Sequence, residues 1–176
     1  MQQPALSAAA QLDAAFSATN NAESLVVISN NDRLDRTIFS QNLSETFEQG
    51  RVNQIWAGDG HTIYTAIPAA CGTKARFTET HPTDAFSLKP VGFGDDDVSQ
   101  NGDTFIVRKD GKELSSLVVQ NGYVVQTTSE PREVQGHRVP KLTESFSDIN
   151  DAPRIVVPTP NEVVFSPQLF SGSCPL

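Results

Sequence analysis

Positive charge, cysteine and the larger aromatics are scarce in this 176-residue chain. It holds 13 Lys and Arg against 21 Asp and Glu, 2 Cys, 1 Trp and 2 Tyr. The deficit of positive charge gives a net charge of −8, spread evenly along the sequence. No basic half is left to neutralise phosphates, so direct nucleic-acid binding is not expected. Cys71 and Cys174 lie too far apart for a zinc pattern, and two cysteines make no secreted disulfide framework. Long apolar runs are also missing, and with them any expected membrane-spanning helix. The first basic residue is Arg33, so Met1–Ala22 has neither the charged start of a secretory signal nor the arginines of a transit peptide. The expectation is a protein made and kept in the cytoplasm, or carried from there into a virion. Asn42-Leu43-Ser44 forms a glycosylation sequon, read as coincidence without an export signal.

What is present is β-rich and punctuated. Residues 4–19 read as a helix, with Ala5, Ala8, Leu12, Ala15 and Thr19 on one stripe. The stripe is mostly alanine, so this helix needs a surface to lie on. Ser24–Ser29 is a β-branched run between asparagine pairs and reads as a strand. Phe39, Leu43 and Phe47 recur every fourth residue before Gly50, which predicts a second helix over 37–49. Val52–Trp56 and His61–Ile67 read as strands around the turn at 57–60. Residues 68–102, rich in proline and glycine, read as a long irregular excursion.

The clearest local signals are Asp110-Gly111 and Asn121-Gly122, two-residue turns that tolerate positive φ, each between β-rich runs. They predict a three-strand antiparallel meander over 103–128. Its expected pairs are Arg108 with Glu113, Val107 with Leu114, Val119 with Val124 and Val118 with Val125. One face then carries Phe105, Val107, Leu114, Val118 and Val125, the other Ile106, Leu117, Val119 and Val124. Both faces are apolar, as in a sheet covered on both sides. After Ser129, seven of the 11 prolines fall within 46 residues, between short apolar runs at 155–157, 163–165 and 169–170. Proline removes ladder donors, so these runs predict edge strands or an extended arm.

The expected fold is mainly β, an antiparallel sandwich or partial barrel with one or two short helices and an extended C-terminal arm. The expected organisation is an N-terminal helical arm (1–22), a β-rich core domain (23–130) and a proline-punctuated arm (131–176).

Few residues offer chemistry. Asp97, Ser99 and Asn101, then Gly102 and Asp103, place oxygen side chains at alternate positions before a glycine, as a calcium loop does. Position 12 of that loop is Arg108 in place of a bidentate glutamate, so a solvated acidic turn competes with a calcium site. No cofactor is expected, calcium in this loop being the alternative to the turn. His61, His81 and His137 form no ligand pair, and Cys71 sits among small residues as a buried thiol would. No nucleophile elbow or phosphate-binding glycine motif is present. The ten phenylalanines are spread along the whole chain, a packing pattern and not a binding platform.

Without a catalytic constellation, and with two arm-like ends, the expected role is a non-enzymatic structural subunit. Its partners would be copies of itself and other subunits of an assembly such as a virion capsid, decoration or tail. The alternative is a monomeric small-molecule or glycan-binding module that uses the 68–102 region.

Overall fold

The computed structural model describes residues 6–30, 36–40, 43–57, 62–67, 76–80, 98–134 and 137–165. Ser7 opens the helix α1 (Ala8–Asn20), its hydroxyl accepting from the Ala10 amide at 3.2 Å. Six strands follow in up-and-down order: β1 (Ser24–Ser29), β2 (Arg36–Ser40), β3 (Leu43–Glu48), β4 (Arg51–Trp56), β5 (Ile63–Ala66) and β6 (Phe77–Thr80). A second run holds β7 (Val98–Asn101), β8 (Thr104–Lys109), β9 (Lys112–Gln120) and β10 (Tyr123–Ser129). The hairpin β11 (Arg132–Val134) and β12 (His137–Val139) leads to β13 (Leu142–Ser147). A 3-10 turn (Pro160–Glu162) precedes β14 (Val163–Phe165).

Twelve of these strands form one open sheet in the order β14-β6-β5-β4-β3-β2-β1-β13-β10-β9-β8-β7. It is two meanders joined through β13, which pairs with β1 on one side and β10 on the other. Every pair is antiparallel except β14 with β6. The mainly β, antiparallel architecture with a short helix read from the sequence is what the structure shows, and among the described residues the sheet does not close into a barrel.

The turn chemistry behaves as expected. Asp110 and Gly111 have φ of 53° and 73°, Asn121 and Gly122 of 52° and 81°. Positive φ at both central residues is the type I′ geometry that suits the right-handed twist of a hairpin.

Several expectations need correction. Residues 37–49 are not a helix: they form β2 and β3, with Phe39 and Phe47 on opposite faces of the sheet. The Gly50 read as a helix stop lies in a hairpin turn with Gln49, at φ of 71° and 52°. Within the second meander, Arg108 faces Glu113 and Val119 faces Val124 as expected. Bulges then shift the register, so that Val107 faces Ser115 and Val118 faces Gln126. Phe105, Val107, Leu117 and Val124 consequently share one core. The N-terminal helix lies on its own sheet, and β13, within the expected C-terminal arm, is a central strand.

Two cores result. Leu12 and Ala15 of α1 pack with Phe105, Val107, Leu117 and Val124 of the second meander. On the first meander, Val26, Ile38, Phe47, Ile55 and Phe77 pack with Ile155, from the chain after β13. Residues paired across strands point to the same side. Tracing Leu117–Thr127–Glu144–Ser29 across the sheet puts Leu117 on the face of Val27, opposite Val26. The helix and the C-terminal segment therefore cover opposite faces of one sheet.

Candidate functional site

The C-terminal segment is the part of the fold whose apolar side chains are most exposed, and its local structure follows from its prolines. Pro153, Pro158 and Pro160 fix φ and push their predecessors extended. Between Ala152 and Thr159 the chain joins no ladder. It leaves β13 through a tight turn in which Asp148 and Asn150 have φ of 50° and 65°. That turn is clamped to the start of β1. The Asn150 amide donates to the Ser24 carbonyl at 2.7 Å, and its side-chain oxygen accepts from the Glu23 amide at 2.8 Å. The Ala152 amide adds a bond to the Ser24 hydroxyl at 3.1 Å.

Beyond the clamp, Ile155 is buried while Val156 and Val157 face outward. A groove of about 750 Å³ runs beside them, lined by Ser40, Leu43, Arg154, Ile155, Val156 and Val157. The far end is latched. The Glu162 carboxylate accepts from the Thr159 amide at 3.0 Å, from its hydroxyl at 2.9 Å and from Arg76 Nη1 at 3.0 Å. The Arg76 amide donates to the Glu162 carbonyl at 2.8 Å. The Thr159 amide and hydroxyl, and then the Arg76 guanidinium, hold the Glu162 carboxyl below the usual glutamate range. Thr159 and Glu162 form a capping box, a spacing legible in the sequence. Arg76 could not have been paired with them from sequence, being 86 residues away.

Two further features surround this segment. On the face it covers, Glu45 sits in the cross-strand row between Ile38 and Ile55. Partial burial raises its pKa, and the nearby Arg36 guanidinium works against that rise. Arg36 also stacks over the Phe47 ring, 4.2 Å from its centroid. On the opposite face the sheet continues past the end of α1 into a groove of about 520 Å³. Leu25, Val27, Phe39 and Phe146 line it, together with Glu23, Arg36 and Glu144.

The candidate calcium ligands are only partly visible. Ser99 and Asn101 lie on β7 and Asp103 in the turn to β8, where Gly102 has φ of 58°. Arg108 donates to the Ser99 hydroxyl at 2.6 Å, so a cation already occupies one side of that oxygen. Asp97 lies outside the described residues, as do Cys71, Cys174, His61, His81 and most of the 68–102 excursion. Where an irregular excursion is expected, the described residues form two regular strands, β6 and β7. Among the described residues no group of three His, Cys, Asp or Glu side chains gathers to hold a metal ion. Nor is any described helix long and apolar enough to cross a membrane. No protein-family model and no curated protein matches the chain.

Proposed function

We propose that this protein is a non-enzymatic structural subunit of a larger assembly, of the kind that builds a virion capsid, decoration or tail. In this reading it contacts copies of itself and other subunits, and is made in the cytoplasm before incorporation. One observation carries it: the C-terminal segment turns Val156 (72% exposed), Val157, Val164 and Phe165 (64% exposed) outward along one stretch of chain. Scattered surface apolar residues are ordinary, whereas two exposed apolar pairs within ten residues of one segment are the kind of surface a contact covers. Light scattering after size-exclusion chromatography tests the reading. The expected species is a multiple of the 19.0 kDa chain that loses mass when residues 153–176 are deleted. A monodisperse 19.0 kDa species unchanged by that deletion counts against assembly. Such a monomer, melting higher with a small molecule or glycan, would favour the binding-module alternative.

A further inference from the structure

The segment that carries the exposed apolar run is itself held by few ties. The clamp at Ser24 ends with Ala152, and Ile155 is the one buried side chain between Pro153 and Glu162. After it come the Glu162 latch, the Arg76 amide bond to the Glu162 carbonyl, the half-buried Val163 against the same core, and the three-residue parallel ladder of β14 on β6. Residues 153–158 join no ladder, so the one sheet pairing that lifting the segment breaks is β14 on β6. The prolines hold the segment extended in advance, and its 13 residues from 153 to 165 span up to about 43 Å when fully extended.

Resting on the assembly reading, we propose that this segment exchanges between two copies of the chain. Residues 153–165 of one copy occupy the seat on the other, with Ile155 among the second copy's Val26, Ile38 and Ile55. Glu162 then meets the second copy's Arg76, and β14 lies along the second copy's β6. The occupant's fit is displayed within a single chain, where the same residues already fill the same seat. Exchange replaces every contact by an identical one, which makes it a low-cost route to a dimer. The clamp at Asn150 and Ala152 places the pivot at Pro153, where the chain leaves the sheet. Bringing two copies together also covers Val156 and Val157 at the crossing, a gain absent from the closed chain.

Heterotypic disulfide trapping tests this. Val164 and Thr78 are Cα partners across the β14–β6 ladder, close enough for a disulfide. In a C71S/C174S background, V164C chains are mixed with T78C chains at high concentration, equilibrated and then oxidised. Exchange yields a disulfide-linked species at twice the 19.0 kDa chain mass that survives dilution, separates on adding a reductant, and is present only in the mixture. Its yield should rise with concentration and fall when I155D is added to the V164C chain. The T78C/V164C double variant at low concentration should close its own strap. If it closes and the mixture gives no linked species, exchange is overturned. If it does not close, the seat itself is absent and the inference falls as well. Oligomers by light scattering without the heterotypic link would leave the assembly reading standing and remove exchange alone.

Discussion

The two halves of this sheet are covered by opposite devices. Over the second meander lies a 13-residue helix whose own backbone bonds are made internally. Such an element can cover a sheet with small side chains, because it brings no unsatisfied backbone to the interface. Leu12 is fully buried there, and Thr19 bolts the helix end to the sheet. Its hydroxyl accepts from the Val124 amide at 2.9 Å and donates to the Ala15 carbonyl at 2.8 Å. Over the first meander lies an extended strap with one buried side chain and an exposed latch. The helix end is tied to the sheet by a buried hydrogen bond, while the strap's Glu162 latch is exposed. The contrast of helix with extended strap follows from proline content: α1 has no proline between Ala8 and Asn20, and the strap has three between 153 and 160.

Truncating one buried anchor in each cover breaks or sharpens the comparison. Leu12→Ala leaves a cavity in a core that cannot collapse around it, at a cost of about 3 kcal/mol. Urea unfolding should show this as a large drop in the midpoint of the whole molecule. Ile155→Ala removes a comparable side chain, yet the global cost is bounded by the strap's own attachment, about 2 kcal/mol. The strap should become protected far less from proteolysis while the unfolding midpoint moves little. Equal global losses for the two variants would mean the strap is as integral as the helix.

The latch should respond to acid. Glu162 has its folded pKa below the unfolded value, so its stabilisation is present above the ordinary glutamate range. It is lost as pH falls through the depressed folded value. Amide resonances of Thr159 and Arg76 should titrate together with a midpoint below that of a free glutamate. Their response should disappear in Glu162→Gln; an acid response unchanged by that substitution would place the titrating group elsewhere.

Much of the fold was legible, and the reasons differ by element. Ser24–Ser29 is bounded by asparagines and matches β1 residue for residue. The Asp-Gly and Asn-Gly turns specify their own geometry because few other pairs tolerate positive φ twice. The stripe Leu12, Ala15, Thr19 is buried as its spacing requires. Residues 37–49 misled because Phe39, Leu43 and Phe47 fit a helical period over so short a run, while Thr37-Ile38-Phe39 also fits a strand. The two bulges are invisible in composition: a bulge adds one residue to one strand, and each apolar side chain beyond it changes face. Hence the expected faces mixed residues that the structure separates. The strand β13 is polar and short, marked only by the proline-free window between Pro140 and Pro153. Of the candidate site, the proline-spaced apolar runs were readable, as was the Thr159–Glu162 spacing. The seat beneath was not, since it is built from β1 to β6.

The smallest expected effect concerns what each cover tolerates beneath it. Beneath the helix the buried polar group is the neutral Thr19 hydroxyl, with both its donor and its acceptor bond made within the fold. On the strap-covered face, by contrast, the carboxyl of Glu45 stands in the row between Ile38 and Ile55. Burial raises its pKa, so the folded state holds the proton more tightly than the unfolded chain does. For an acid shifted upward, stability is greatest when the group is protonated, and falls as pH rises from the ordinary glutamate value through the raised one. Glu45→Gln removes this penalty and should stabilise the protein by about 0.5 kcal/mol at neutral pH, small because solvent and Arg36 still screen the charge. Below the ordinary glutamate range the gain should vanish, because the native residue is then neutral as well. Urea midpoints of both proteins at pH 7 and in acid decide the matter. A gain of the same size at both would assign it to packing, and a loss at pH 7 would mean the Arg36 attraction outweighs burial.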